Sequence, residues 1–287
     1  YTITHIITGP GGCTSTTTST VTIYAMPTVT VNDPTICAGT TATLTAGGAT
    51  TYTWSAGATS TGATTASATP AVTTSYTVTG TNANGCTATD VATVTVNPLP
   101  VVTAESNLTF CAGAAVPANT FNSTPVGATF TWTNSNTAIG LAASGVTSTP
   151  GFTATNATAG PITATISITP TLAGCVGTPV TYTITVNPLP TVVAEPNLTF
   201  CPGATVPANT FVSLPAGSTF TWTNSNTAIG LVASGVTSTP AFTATNATGG
   251  AITGTITITP TLTGCAGTPS TYTITINPTP PVTVTSA

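Results

Sequence analysis

Seven cysteines, four carboxylates and one histidine are the residues of this 287-residue chain best equipped to do chemistry. The cysteines stand singly, at 13, 37, 86, 111, 175, 201 and 265, and never in the close pairs that zinc sites use. Cross-linking is therefore their expected chemistry, which implies an oxidising, extracellular setting. Acid–base work would need two carboxylates together. Glu105 and Glu195 occupy equivalent places in two repeats, one in each, while Asp33 and Asp90 share a repeat but offer calcium few oxygens. His5 reads as a solvated residue near a strand end. No catalytic residue, metal site or cofactor is expected, and the chain reads as non-enzymatic.

Composition narrows the partners. There is no Lys or Arg, and the formal net charge is −4. Nucleic-acid binding draws most of its affinity from cations meeting phosphate, so it is excluded, as is attraction to anionic membranes. Apolar residues alternate with threonine and never run the ~20 positions of a spanning helix, so membrane insertion of this segment is not expected. Roughly 80 residues are threonine, several times the usual share of a residue type. Threonine joins a β-branched carbon, which suits strands, to a hydroxyl, which suits water.

An internal repeat organises the chain. Leu99–Pro188 aligns without gaps on Leu189–Pro278 at an offset of 90 positions, sharing Asn-Leu-Thr-Phe-Cys and Thr-Phe-Thr-Trp-Thr-Asn-Ser-Asn-Thr-Ala-Ile-Gly-Leu. A shorter relative covers 28–98. Residues 1–27 match only its end, with Gly12-Cys13 corresponding to Gly85-Cys86. The expected domains are 1–27, the last strands of a truncated domain, then 28–98, 99–188 and 189–280, with 281–287 opening another. The chain thus reads as a window on a longer array. Asn-Pro-Leu-Pro or Asn-Pro-Thr-Pro separates successive domains, and prolines flanking one residue resist bending, so the array is expected to be elongated and stiff.

Within each domain, segments such as Ala42–Ala46, Tyr76–Val78, Ile162–Thr169 and Tyr182–Val186 alternate apolar residues with polar ones, mostly threonine, the mark of strands with one buried face. Turn residues recur every 8–12 positions, as in a β-sandwich. The fold class is therefore all-β, a tandem of immunoglobulin-like sandwiches. Trp54, Trp132 and Trp222 fall once per domain and are expected to be the core aromatics.

Cysteine spacing supports pairing within each domain: Cys37 with Cys86, Cys111 with Cys175, Cys201 with Cys265, leaving Cys13 without a mate. One difficulty opposes it. The first cysteine precedes the second strand and the second follows the penultimate strand, and these loops lie at opposite ends of a conventional sandwich. Bonds between neighbouring domains are the alternative, with free thiols a third.

The run Ile-Cys-Ala-Gly, Thr-Leu-Thr-Ala, Thr-Trp-Ser, Tyr-Thr-Val, Asn-Gly-Cys and Val-Thr-Val-Asn-Pro resembles the Ig-like and PKD-like repeats of very large Bacteroidota surface proteins. Those are secreted by the type IX system and include gliding-motility adhesins of the SprB type. The resemblance spans essentially the whole chain, implies cell-surface or extracellular placement and brings no catalytic residues. It points to a structural or adhesive segment of a repetitive filament. The alternative is a spacer or carbohydrate-binding accessory of a secreted polysaccharide-degrading enzyme. With almost no charge to keep copies apart, self-association into fibres or lateral bundles is expected, and any surface or glycan ligand would bind elsewhere in the protein.

Overall fold

The computed structural model describes residues 1–280; the expected start of a further domain, at 281–287, lies outside the described residues. Strands dominate, and the only helical elements among the described residues are two short 3-10 turns, Thr137–Ile139 and Thr227–Ile229. The residues gather into two compact units. One holds Tyr1–Val101 with Ser123–Ala128 and Pro170–Thr178; the other holds Val102–Asn122, Thr129–Thr169 and the chain from Pro179.

In the first unit, the repeat at 28–98 forms two four-stranded sheets. One runs Thr35–Cys37, Thr87–Asn97, Thr74–Thr81, Thr51–Trp54; the other runs Thr30–Val31, Ala42–Gly47, Thr65–Ala68, Ala58–Ser60. Alternation does the sorting. Ala42, Leu44 and Ala46 are buried while Thr43 and Thr45 between them face out. They pack with Ala66, Ala68, Tyr76, Val78, Ala92 and Val94, a core of mostly small side chains. Ahead of it, Thr2–Thr8 pairs antiparallel with Thr14–Thr20, and every residue of these two strands is exposed.

The repeat at 189–280 lies wholly in the second unit. Its main sheet runs Leu198–Phe200, Ser270–Ile276, Ile252–Leu262, Thr219–Asn224, Ser234–Val236. Short ladders make the opposing layer: Thr191–Val192 with Ser213–Leu214, Thr205–Val206 with Phe242–Thr243, and Asn209–Thr210 with Ser238–Thr239. Between the layers, Trp222, Ile256, Ile258, Tyr272, Ile274 and Ile276 meet Val206, Phe211, Ile229, Leu231 and Ala244. The repeat at 99–188 carries equivalent strands, among them Leu108–Cys111, Thr129–Asn134, Ile162–Leu172 and Val180–Asn187.

Trp132 and Trp222 are each 2% exposed. Each donates its indole N–H to a backbone carbonyl, Ser148 at 2.9 Å and Ser238 at 3.0 Å. A glycine stands directly across the strand pair, Gly145 opposite Trp132 and Gly235 opposite Trp222. A Cβ there would lie 2.6 Å from the ring in both cases, so the glycine makes room for the indole. Trp54 differs. It sits on a strand at the edge of its sheet and is only half-buried, because no strand flanks it on the far side as Ser234–Val236 flanks Trp222.

A parallel pairing sets where the early cysteines lie. The strand that ends at the first cysteine of each repeat runs parallel to that repeat's last strand. Cys37 pairs with Asn97 and Cys111 with Asn187, while Phe200, just before Cys201, pairs with Ile276.

The tryptophan shelf is testable. Gly235→Ala should lower stability by about 1–3 kcal/mol, the usual effect of overpacking a filled core, whereas Gly250→Ala, with open space around its Cα, should not destabilise. Urea denaturation midpoints give the comparison, and equal midpoints would mean that the ring is not fixed against Gly235.

Candidate functional site, the bonded joint between repeats

The carboxylates act locally. Asp33 accepts the Thr93 N–H at 2.6 Å, Asp90 accepts the N–H groups of Val31 and Val91 at 2.9 Å each, and Glu105 accepts from the Asn119 amide at 3.1 Å. They satisfy backbone or amide donors that strand pairing leaves over. Glu195 lines a shallow surface recess with Pro196, Leu198 and Pro207. His5 is exposed on the outer hairpin, across from Thr17. No group of three or more metal-ligating side chains occurs among the described residues. Trp132 and Trp222, being buried, have no face to offer a sugar.

The chemistry is in the cysteines, and their pairing differs from the one expected. Cys37 is bonded to Cys175, 138 residues away, and Cys111 to Cys265, 154 residues away. Each bond joins one repeat to the next. The expected pairs Cys37–Cys86, Cys111–Cys175 and Cys201–Cys265 do not form; Cys86, Cys201 and Cys13 are free thiols. The reason is the parallel strand. It carries Cys37 to the far end of Thr87–Asn97, while Cys86 precedes that strand's first residue. Ten steps of strand put roughly 33 Å between those ends, whereas bonded cysteines need Cα atoms within about 7 Å of each other. The Cα atoms of both observed bonds are 5.6 Å apart.

Each joint has the same parts. The early cysteine opens a tight turn, Cys37-Ala38-Gly39 or Cys111-Ala112-Gly113, with the glycine at φ 83° in both cases. The turn is fastened to the end of the last strand, with Ala38 N–H donating to Asn97 O and Ala112 N–H to Asn187 O, both at 2.9 Å. The late cysteine comes from the following repeat. It follows a two-residue hairpin turn, Ala173-Gly174 or Thr263-Gly264, in which both residues have positive φ, the conformation that joins twisted strands most tightly.

Two further contacts seat that hairpin. The Asn97 amide reaches Ala173 O at 3.5 Å, and the Asn187 amide reaches Thr263 O at 3.4 Å. Two residues past each late cysteine is a glycine, Gly177 or Gly267. A Cβ there would lie 1.9 Å from Pro100 O or 1.8 Å from Pro190 O, so only glycine lets the hairpin lie against the proline-rich connection. These asparagines and glycines were not singled out from the sequence. Their signal is present in it, as Gly-Cys-x-Gly in one repeat and Asn-Pro at the end of the repeat before.

Comparison with known proteins agrees with the tandem β-sandwich fold. The PKD-like domain profile matches residues 108–190 and 199–280, more than half of the chain. The chain belongs to the PKD-like domain family. Such domains are typically non-catalytic modules, and disulfide-bonded examples are typical of extracellular proteins. Among solved structures, the three-domain I-band fragment I67–I69 of titin superposes with a TM-score of 0.50 at 12% identity, covering 90% of this chain and 99% of that one. Its E-to-A variant gives the same score and identity over 90% and 100%. At that identity the likeness concerns the fold alone, a tandem of Ig-like sandwiches. No curated protein sequence matches the chain. No helix among the described residues is long and apolar enough to cross a membrane.

The pairing can be read by peptide mapping without reduction, using pepsin because trypsin has no site. Linked peptides should carry Cys37 with Cys175 and Cys111 with Cys265, and thiol alkylation of the isolated 287-residue chain should reach Cys13, Cys86 and Cys201. Reduction should destabilise strongly, since closing loops of this size is worth about 5 kcal/mol each in the chain-entropy model. Recovery of Cys111 linked to Cys175 would contradict the joint.

Proposed function

We propose that this chain is a load-bearing structural segment of a long repetitive extracellular filament, displayed at the cell surface as the gliding-adhesin resemblance implies. Its domains are those read from the sequence, at 28–98, 99–188 and 189–280, preceded by the end of another. The observation that carries this reading is the pair of bonds joining successive repeats.

A spacer that only tethers one domain to another gains little from such bonds. A strand under tension gains a great deal. Force entering before Cys37 and leaving after Cys265 takes its shortest path across both disulfides and the stretch 111–175, and the stretches 37–111 and 175–265 lie off that path. Without the bonds, unfolding would let the chain reach about 1,000 Å, taking about 3.5 Å per residue. With both bonds, the shortest covalent path from end to end holds only about 120 residues, or about 430 Å by the same measure.

Single-molecule stretching between the two ends tests this. The oxidised chain should stop extending near 430 Å, and the same chain after reduction should more than double that length. Equal extensions in both states would remove the load-bearing argument.

The near-absence of charge also supports lateral association. Natural sheets guard their edges with charge, especially lysine, and this chain has no lysine and a net charge of −4. Threonine-faced sheets and exposed valines such as Val146 and Val236 supply an uncharged surface suited to bundling of parallel copies. Sedimentation velocity should show concentration-dependent association that varies little with salt. A monomer throughout, at millimolar concentration, would exclude bundling through these surfaces.

A further inference from the structure

The two formed bonds obey one rule: the early cysteine of a repeat joins the late cysteine of the repeat that comes after it. We propose that the free thiols Cys86 and Cys201 are open halves of this same joint, each completed by a cysteine of an adjoining PKD-like repeat, so that every repeat is bonded to both neighbours.

Cys201 is built as an early cysteine. Phe200 before it pairs with Ile276 in the parallel register of the other repeats, and Asn277 N–H donates to Phe200 O at 3.0 Å. The turn after it, Cys201-Pro202-Gly203, has its glycine at φ 85°, closes with Ala204 N–H donating to Cys201 O at 3.2 Å and is tied by Gly203 N–H to Ala244 O at 2.9 Å. The corresponding closure at Cys111 is Ala114 N–H to Cys111 O at 3.1 Å, and the corresponding tie is Gly113 N–H to Ala154 O at 2.7 Å. The thiol is exposed at the end of the repeat where Cys37 and Cys111 are bonded.

Cys86 is built as a late cysteine, and its surroundings show where its mate belongs. It comes after a turn with Gly85 at φ 82°. Its thiol lies 3.8 Å from Tyr24 O, and the hairpin is anchored by the Asn82 amide donating to Ala25 O at 2.9 Å. Tyr24 stands at the same distance along the chain from Cys13 as Asn97 does from Cys86. It therefore holds the place that Asn97 and Asn187 hold, and those are the residues against which Cys37 and Cys111 sit. The Cys86 thiol is thus aimed at the position of an early cysteine in the preceding repeat. Cys13 fits the same rule one repeat further back.

Closing each joint turns two thiols into one disulfide. Two protons and two electrons pass to a disulfide oxidant, which leaves as a dithiol. The mate of Cys86 should lie in a Cys-x-Gly turn, and that of Cys201 in a Gly-Cys hairpin. Either mate can come from the same longer chain or from a second copy. The inference is independent of the filament reading, since a bonded spacer would obey the same rule.

The test uses the protein as its source cells make it. Free thiols are blocked with N-ethylmaleimide at lysis, and peptic peptides are mapped without reduction. Cys86 and Cys201 should carry no maleimide, and their linked peptides should contain Cys-x-Gly and Gly-Cys respectively. If the mates lie in the same chain, reduction will leave the apparent mass in a denaturing gel essentially unchanged. If a second copy supplies them, the band will drop to the mass of one chain. Maleimide on either cysteine, a bond between Cys86 and Cys201 of one chain, or a partner peptide of another pattern would overturn the proposal.

Discussion

The parallel pairing of each repeat's cysteine-bearing strand with its last strand is the constraint on which the covalent architecture depends. Had Thr35–Cys37 run only as the first edge of the sandwich, its cysteine could have stayed near the hairpin at Cys86. Hydrogen bonding to Thr95–Asn97 in parallel instead carries it the length of the domain, to where the next repeat begins. Parallel pairs are slightly weaker per residue than antiparallel ones, and this one covers only three or four residues. The disulfide at its end adds a covalent tie to this short strand, although Leu198–Phe200 keeps the same pairing with Cys201 unbonded.

A chain almost without charge must still satisfy its polar groups. It does so with short side chains close to the backbone. Asn136 and Asn226 each cap a 3-10 turn, Ser135 and Ser225 each accept a backbone N–H from a neighbouring strand, and Asn107 and Asn197 do the same across 76 residues. Each interaction occurs in both long repeats with nearly the same geometry. Threonine covers the outer faces, as in Thr163 against Thr185 and Thr253 against Thr275, hydroxyl to hydroxyl at 3.0 Å. Such cross-strand pairs contribute a few tenths of a kcal/mol to about 1 kcal/mol each, without the screening by salt that weakens exposed ion pairs.

Much of the fold was legible because period-two alternation is a local signal. Ile256 and Ile258 between Thr255, Thr257 and Thr259 could only be one face of a strand, and the gapless 90-residue offset required two copies of one domain. The pairing of the cysteines was not legible in the same way. Alternation says which face a residue takes but not which strand runs beside it, so the parallel neighbour of Cys37 was invisible. Counting cysteines by domain gave even numbers and one remainder, a tidy result that favoured the wrong bonds. A bond that reaches across a repeat boundary is not visible to such a count, and Cys13, Cys86 and Cys201 stand as free thiols. Trp54 was grouped with Trp132 and Trp222 by position alone. Its strand lacks the flanking neighbour, with its glycine, that covers the other two.

The two bonded loops overlap, since 37–175 and 111–265 share the stretch from 111 to 175. A single backbone cut anywhere between Cys37 and Cys265 therefore falls inside at least one loop, and the two pieces remain one covalent molecule. Proteases find exposed turns, and a linear tandem of domains is severed by one nick in any connection. Here the connections after 28–98 and 99–188 are each spanned by a disulfide, so the peptide bond there is redundant. Separating Cys37 from Cys265 would take three cuts, one in each of the stretches 37–111, 111–175 and 175–265, or a cut in one connection together with reduction of the disulfide that spans it.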